Sequence, residues 1–321
     1  IDFANYNDNG TPDNSTDDII TSTNESLTLT KSEYTENPIL THDVFNINGN
    51  SVGYLMYNGF RIGDSNLTEL NSVFAEFQSN NITDLVLDLR YNGGGSVSTA
   101  IWLASMVTGQ NTGEVFFKEQ WNSEIQTLLE ESNPESLINP FVDVMVKRDS
   151  DGDISFQQNI NSLNLTKVYV LTKRSTASAS ELVINGLQPY IDVVQIGSTT
   201  RGKPQASTTL YDSNNFGRAN ANPSHNYALQ PLIYESENAN GFSEYYDGLE
   251  PSAGFSAVEY YNNLGQLGDI TERFLAIAIE DITGTRRSFN VNAIPLKEIA
   301  DDKFSNPISR EMVDNRPFTF N

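Results

Sequence analysis

The 321-residue chain contains no cysteine and only two histidines, His42 and His225. The absence of cysteine excludes disulfides and thiolate-ligated metals. Two histidines in the whole chain also argue against a multi-histidine metal site. No apolar run reaches transmembrane length, so no membrane span is predicted.

Basic residues are scarce, because 19 Lys and Arg stand against 42 Asp and Glu, and the formal net charge at pH 7 is −23. Such a surface keeps a protein soluble and disfavours binding to nucleic acid or anionic membranes. Carboxylates can also attract cationic substrates, but a solvated acidic surface is the more common meaning of this charge. Nucleic acid is therefore not an expected partner.

Three regions differ in their hydrophobic patterning. Residues 1–42 are polar and rich in turn formers, which indicates a short β segment rather than a domain. Residues 43–288 carry regular apolar patterns and are predicted to form one large core. Residues 289–321 are weakly patterned and form a predicted C-terminal extension.

Strands and helices alternate along the predicted core. Apolar residues at helical spacing predict helices between short apolar strands. Strands are predicted at residues 51–58, 84–90, 167–172, 192–197 and 226–236, and helices at residues 67–77, 97–107, 178–188 and 269–282. This order predicts an α/β fold with parallel strands and right-handed crossovers.

Three loops are predicted at the carboxyl edge of the sheet, where ligands of such folds bind. Each follows a predicted strand, and they are "YNGGG" (91–95), "KRSTASAS" (173–180) and "STTRGKPQAS" (198–207). Three adjacent glycines cost backbone entropy. The triplet therefore indicates that a bare backbone is needed there.

Ser178 and Lys203 are predicted to come together at this edge. Helix 178–187 rises about 14 Å at about 1.5 Å per residue, and strand 192–197 returns a similar distance. A serine at a helix start beside a lysine forms a nucleophile–base pair. Glycine amides nearby can bind an oxyanion.

Serines that precede a helix commonly cap it, and Ser175, Ser178 and Ser180 all suit that role. The glycine loop and Lys203 favour catalysis for Ser178 alone. Ser180 and Glu181 are expected to cap or brace the helix start.

Two other acidic patterns have structural explanations that we favour. Asp88 and Arg90 project from the same side of their strand, which predicts an ion pair that holds the glycine turn, with contact to substrate as the alternative. The stretch 149–153 suggests a calcium loop. Its glycine is misplaced for an EF-hand, so a hairpin closed at Asp-Gly within residues 141–158 is predicted.

The segments "LVLDLRYNGGG" (85–95), "STASASELVINGLQ" (175–188) and "GKP" (202–204) occur in this order, and Lys203 lies 25 residues after Ser178. Together they resemble the carboxy-terminal processing, or tail-specific, serine peptidases of the Ser–Lys branch, in a Bacteroidota-like envelope version. The resemblance covers roughly residues 50–285.

The resemblance implies a mixed α/β fold with a ββα core like that of crotonase and Clp protease. It implies a serine endopeptidase that forms an acyl-enzyme intermediate, with Ser178 as nucleophile and Lys203 as general base. The amides of Gly94 and Ala179 would be the oxyanion donors. The expected partner is a protein or peptide substrate, and no metal or other cofactor is expected.

Two features depart from the family pattern. The family often has a glutamine four residues after the lysine, which orients it. Here Ser207 occupies that position and Gln205 lies two residues earlier, so both are candidates for the orienting role. The family also usually carries a complete PDZ module before the core. Residues 1–40 resemble only the last strands of one, and tail recognition is therefore left open.

The resemblance also implies an extracytoplasmic location, which includes the periplasm, the cell surface as a lipoprotein, and secretion. The chain begins with Ile1 rather than Met, so we expect an upstream piece with any signal region. A Ser–His arrangement, used by the tricorn-like branch, would rely on His42 and is disfavoured. The alternative function is a catalytically silent peptide-binding envelope protein, which the intact Ser178, Lys203 and Gly94 argue against.

Overall fold

The computed structural model describes residues 2–7, 9–10, 16–33, 36–149, 151–260, 264–285 and 312–316. The chain divides into two compact units, Ile1–Asn37 and Pro38–Asn321. The smaller unit contains an antiparallel pair, β1 (Asp2–Asn7) with β2 (Ile19–Ser26). The predicted boundary after residue 42 falls inside the first strand of the larger unit, and a relation of the hairpin to a PDZ module stays a prediction.

The larger unit contains strands and helices in alternation. Its strands are β3 (Ile39–Ile47), β4 (Asn50–Tyr57), β5 (Asp84–Asp88), β6 (Val115–Trp121), β7 (Ile138–Pro140), β8 (Val144–Arg148), β9 (Ile154–Asn159), β10 (Lys167–Thr172), β11 (Asp192–Gly197), β12 (Gln205–Ser207), β13 (Leu210–Tyr211), β14 (Ala228–Leu229), β15 (Leu232–Asn238) and β16 (Met312–Val313). Its helices are α1 (Asp64–Ser79), α2 (Val97–Val107), α3 (Ser123–Ser132), α4 (Ala179–Leu187) and α5 (Arg273–Thr283).

A five-stranded sheet in the order β11-β10-β5-β4-β3 forms the centre of this unit. Strands β4, β5, β10 and β11 run parallel, and β3 pairs with β4 in the antiparallel direction. The predicted α/β fold with parallel strands is confirmed. All parallel strands therefore end at one edge, which carries the three loops singled out in the sequence.

Helices cover both faces of this sheet. Side chains alternate along a strand, so Leu85 and Leu87 of β5 join the core formed with α1, α2 and α4, whereas Val86 joins the core formed with α5. Helix α2 is apolar on nearly all sides and is buried along its length. Such a helix is stable only inside a core.

A second sheet has the order β16-β12-β15-β6-β7. It is antiparallel except for the parallel pair of β12 with β16. Strand β12 begins two residues after Lys203, so the loop that carries Lys203 leads directly into this sheet.

Among the described residues, no helix has the length and apolar character that crossing a membrane requires.

Several predicted boundaries shift in the structure. The predicted strand 226–236 is two strands, β14 and β15, and the predicted helix 269–282 begins only at Arg273. The predicted C-terminal extension contains β16, while residues 289–311 and 317–321 lie outside the described part. The sequence patterns did not indicate helix α3 or strands β3, β6, β7, β12, β13 and β16.

The predicted hairpin in residues 141–158 is confirmed by the pairing of β8 with β9. In its turn, the Asp149 carboxylate accepts hydrogen bonds from the amides of Asp151 and Asp153, at 3.0 Å each. Within the part of the chain that the structure describes, no group of three or more His, Asp or Glu side chains is placed to hold a metal ion.

Candidate active site

Ser178 lies immediately before α4 in a strained conformation, with φ 63° and ψ −116°. A positive φ is uncommon for a residue other than glycine and usually persists where function requires it. The residue is fully buried, and its Oγ has no hydrogen-bond partner among the described residues. A capping serine would accept a hydrogen bond from the first turn of the helix. Ser178 is nevertheless the N-cap residue of α4 and forms a capping-box arrangement with Glu181, whose carboxylate accepts the Ser178 N–H, while the Ser178 hydroxyl makes no hydrogen bond of normal length and angle to a described residue.

The Glu181 carboxylate joins the serine loop to the lysine loop. Its Oε2 accepts from the backbone N–H of Ser178 at 2.7 Å and of Lys203 at 2.9 Å. Its Oε1 accepts from the Gly202 N–H at 2.6 Å and from Thr200 Oγ1 at 2.5 Å. The backbone nitrogens of Ser178 and Lys203 thus both lie within hydrogen-bond distance of Glu181 Oε2. The predicted approach of the two loops is confirmed.

Burial raises the pKa of the Glu181 carboxyl, and its four hydrogen bonds oppose that rise. A buried carboxylate is costly unless its oxygens are satisfied. Here each oxygen accepts two donors. The expected bracing of the helix start by Glu181 is confirmed, but its reach to the lysine loop was not foreseen.

The glycine turn lies directly against the serine. Gly94 has φ 107°, and an added Cβ would lie 2.8 Å from Ser178 Cβ and 3.0 Å from Ala179 N. Real Cβ atoms do not approach other atoms this closely. A bare backbone is needed at this position because the serine loop occupies the space where a side chain would lie.

Asn92 fixes this turn with its side chain and its backbone. It is fully buried, its Nδ2 donates to Tyr57 O at 2.8 Å, and its Oδ1 accepts from the Gly94 N–H at 2.9 Å. Its backbone carbonyl accepts from Ala177 N and from Ser180 Oγ, both at 3.1 Å. In this conformation the Gly94 amide therefore already has an acceptor.

Arg90 lies between the end of β5 and the glycine turn, and its buried ion pairs fix the end of this strand. Its guanidinium lies 2.6 Å from Asp88 and 2.8 Å from Glu272, the residue that caps α5, and all three side chains are buried. Tyr54 also donates to Asp88 at 2.8 Å. The predicted ion pair between Asp88 and Arg90 is confirmed, and its burial leaves no surface for substrate contact.

The two candidates for orienting the lysine have partners elsewhere. Ser207 Oγ donates to Met312 O at 3.0 Å and accepts from Gln230 Nε2 at 3.1 Å. Gln205 Nε2 lies 3.4 Å from Glu235 Oε1. None of these contacts involves Lys203, which is half-buried, and an orienting role for either residue stays a prediction.

Neither histidine lies beside Ser178. His42 Nε2 is 3.3 Å from Glu76 on α1, and His225 Nε2 is 3.2 Å from Asp212 in the loop before β14. Since Ser178 Oγ has no partner among the described residues, neither ring is placed to act as its base.

Asn92 is the site residue that sequence reasoning missed. Its position directly before the glycines is a signal for a turn in which the side chain accepts a backbone N–H. Its second hydrogen bond, to Tyr57 at the end of β4, depends on the sheet and has no local signal.

Comparison with known proteins decides the family. A family model of the peptidases of family S41 matches residues 51–218, which is just over half of the chain and includes all three loops. The chain belongs to peptidase family S41. No curated protein gave a significant match.

Solved structures share the S41 fold. A Bacteroides fragilis NCTC 9343 protein assigned to the S41 proteases is 24% identical, with a TM-score of 0.62, and the match covers 88% of this chain. The match covers 66% of that protein, so the chain spans less than two thirds of its length.

Two further solved S41-like structures match more loosely. The photosystem II D1 C-terminal processing protease is 20% identical over 77% of this chain and 53% of its own, with a TM-score of 0.45. Mature CPAF complexed with lactacystin is 14% identical over 78% of this chain and 56% of its own, with a TM-score of 0.43.

Proposed function

We propose that the chain is a serine endopeptidase that cleaves protein or peptide substrates through a Ser178–Lys203 dyad. The observation that carries the proposal is the buried Ser178 Oγ, which has no partner among the described residues and lies on a strained turn. The backbone of that turn shares the Glu181 carboxylate with the backbone of Lys203. A strained strand-to-helix turn is a recurring way to present a nucleophilic serine.

In the proposed reaction, Lys203 Nζ accepts the proton of Ser178 as Oγ forms a bond to the scissile carbonyl carbon. The carbonyl π electrons move to the oxygen, which becomes an oxyanion. When the C–N bond breaks, the Lys203 ammonium gives its proton to the leaving amine and an acyl-serine ester remains. Lys203 then takes a proton from water as the water oxygen bonds to the ester carbon; when the bond between that carbon and Ser178 Oγ breaks, the Lys203 ammonium returns the proton to Oγ and the carboxylic acid product leaves.

The oxyanion is proposed to bind the amides of Ala179 and Gly94. Both lie at the serine, because a Cβ on Gly94 would nearly touch the Ala179 nitrogen. Preformed donors at a developing oxyanion are among the largest contributions to catalysis. The Gly94 N–H donates to Asn92 Oδ1 in this conformation, so this bond must be shared or released when the oxyanion forms.

Ser178→Ala tests the nucleophile. Wild type is expected to cleave fluorescein-labelled casein and to become labelled at Ser178 by a fluorophosphonate probe, as located by mass spectrometry. Ser178→Ala should lose both, whereas Ser175→Ala, a neighbouring serine that bonds to the Arg90 carbonyl, should keep both. A folded wild type that neither cleaves casein nor reacts with the probe would instead favour the catalytically silent peptide-binding protein.

We further propose an extracytoplasmic location and leave tail specificity to a direct test. A chain without cysteine is compatible with the periplasm, the cell surface or secretion.

Two peptides of one sequence, with a free and an amidated carboxyl terminus, distinguish tail-specific from general cleavage. A preference for the free carboxylate supports tail specificity, and equal rates contradict it.

A further inference from the structure

Strand β16, near the end of the chain, lies between the glycine turn and the strand that follows the lysine. It pairs in parallel with β12, which begins two residues after Lys203. On its other side, the Val313 N–H donates to Gly95 O at 2.8 Å, and Val313 forms a parallel bridge with Ser96. This strand therefore joins two of the three loops that build the candidate site.

The side of β16 that faces the lysine strand is held at several points. Met312 is fully buried, and its carbonyl accepts the Ser207 hydroxyl at 3.0 Å. The Asp314 N–H donates to Ser207 O at 2.8 Å. Thr208 Oγ1 donates to Asp314 O at 3.3 Å. These bonds fix both ends of the short strand.

Arg316 anchors the segment to the rest of the second sheet. Its guanidinium donates to Glu119 Oε1 on β6 at 2.6 Å and to Asn139 Oδ1 on β7 at 2.5 Å, and it forms an ion pair with Asp314. Tyr234 on β15 donates to the same Asp314 carboxylate at 3.1 Å. A network of this kind fixes position, because removing one member leaves buried polar groups unpaired.

The glycine turn depends on such neighbours. Its other edge is held by Phe60, which donates to Gly94 O at 3.0 Å and accepts from Ser96 N at 2.9 Å. Gly94 and Gly95 have no side chains, so hydrogen bonds to their backbone groups, including the one from Gly94 N–H to Asn92 Oδ1, and close packing define where they lie. Without β16, the Gly95 carbonyl would lose its bond to Val313 and one edge of the turn would be free.

We propose that the segment Met312–Arg316 is a positioning element of the active site. Val313 and Arg316 are its positioning residues, and together they hold the glycine turn at a fixed distance from β12, the strand that follows Lys203. The inference rests on the proposed peptidase function. Neither residue touches the reacting atoms in this scheme, since each acts through Gly95 or through β12.

Val313→Pro tests the element, because proline lacks the N–H that bonds to Gly95. The matched control Val313→Ala keeps that N–H and shortens the side chain. The measurement is kcat and KM on a fluorogenic peptide that wild type cleaves. A misplacement of about 1 Å can cost about 10²-fold in rate. We expect kcat of Val313→Pro to fall by about that factor relative to Val313→Ala, with KM nearly unchanged.

A second pair of variants covers the case in which Val313→Pro does not fold, as judged by circular dichroism. Arg316→Lys keeps a cation but loses the planar fork that bonds to four side chains. The exposed Arg148 on β8 lies outside the proposed element and gives the matched control Arg148→Lys. Arg316→Lys should lower kcat in the same way, by a smaller factor, and Arg148→Lys should leave kcat unchanged.

The outcomes separate this inference from the proposed function. If wild type does not cleave any peptide and does not react with a fluorophosphonate, the proposed function fails. If wild type is active and a folded Val313→Pro, or in its place Arg316→Lys, keeps the kcat of its control within twofold, the positioning role is wrong. A loss confined to KM would also overturn it, because it would indicate direct contact with substrate.

Discussion

The two halves of the candidate site are held in different ways. Ser178 and Lys203 share one buried carboxylate, that of Glu181, through their backbone N–H groups. The glycine turn instead is held by Asn92 and by backbone bonds to Phe60 and Val313. The nucleophile half therefore depends mainly on one side chain three residues from the serine, whereas the glycine turn depends on the local Asn92 and also on bonds to distant parts of the chain.

This difference indicates how each half should respond to mutation. Because Glu181 accepts the backbone N–H groups of Ser178 and Lys203 rather than their side chains, these two side chains can be changed without breaking the bonds that hold their loops. The glycine turn offers no such freedom, since any side chain at Gly94 meets the serine loop. Changes of the Ser178 and Lys203 side chains should therefore affect chemistry alone, whereas changes at Gly94 should affect geometry as well.

The largest effect is expected for Lys203→Arg. A guanidinium stays protonated and cannot accept the Ser178 proton. Loss of a general base typically costs about 10²- to 10⁴-fold. We expect kcat/KM to fall by about 10⁴-fold, the upper end of that range. The melting temperature should stay close to that of wild type. Arg201→Lys, on the same loop, is the control. Substantial activity in Lys203→Arg would mean that another group is the base.

Gly94→Val should have the next largest effect. Valine at this position would clash with Ser178 and would displace one proposed oxyanion donor, which costs about 10²- to 10³-fold in kcat. Gly113→Val is a matched control, because Gly113 also has a positive φ, 91°, but no atom lies within 4 Å of an added Cβ. Turnover near that of the control would contradict the role of the turn.

The sequence patterns predicted the parallel strands and the meeting of the three loops because both follow from local periodicity. Apolar segments such as residues 84–90 and 167–172 identify buried strands, and parallel connectivity brings their carboxyl ends to one edge. The proximity of Ser178 and Lys203 follows from helix and strand lengths alone. The approach of the serine and lysine loops can therefore be predicted from a single sequence.

The second sheet could not be predicted from the sequence in the same way. Strands β12 and β16 have three and two residues, which is too short for an alternation to be recognised. Their pairing also joins residues about a hundred positions apart. Likewise, the hydrogen bond from Asn92 to Tyr57 joins the glycine turn to the end of another strand. Such features arise from tertiary contacts, and no local pattern specifies them.

Glu181→Gln should have a smaller effect on rate and a clear effect on stability. An amide offers one acceptor oxygen and one NH₂ group, so two of the four donors now on Glu181 would face another donor. Each unpaired buried donor costs about 1–3 kcal/mol. We expect the free energy of unfolding to fall by about 2 kcal/mol or more and kcat to fall about tenfold.

The exposed Glu244 gives the control Glu244→Gln, which should leave both quantities unchanged. If Glu181→Gln matches this control in the urea midpoint and in kcat, then the shared carboxylate does not hold the two loops together. The contrast between a locally held nucleophile and a distantly held oxyanion turn would then lose its main support.

The smallest effect, no change at all, is expected for metal removal. In the proposed reaction Ser178 and Lys203 supply the nucleophile and the base, and backbone amides stabilise the oxyanion, so each step has a protein group to perform it. The Asp149 carboxylate, in the stretch whose sequence suggests a calcium loop, accepts hydrogen bonds from the amides of Asp151 and Asp153 in the hairpin turn. EDTA should therefore leave casein cleavage within experimental error of the untreated enzyme. A loss of casein cleavage that only Ca²⁺ or Zn²⁺ reverses would contradict this prediction. It would mean that a metal ion, and not protein groups alone, helps to hold the serine–lysine half or the glycine turn.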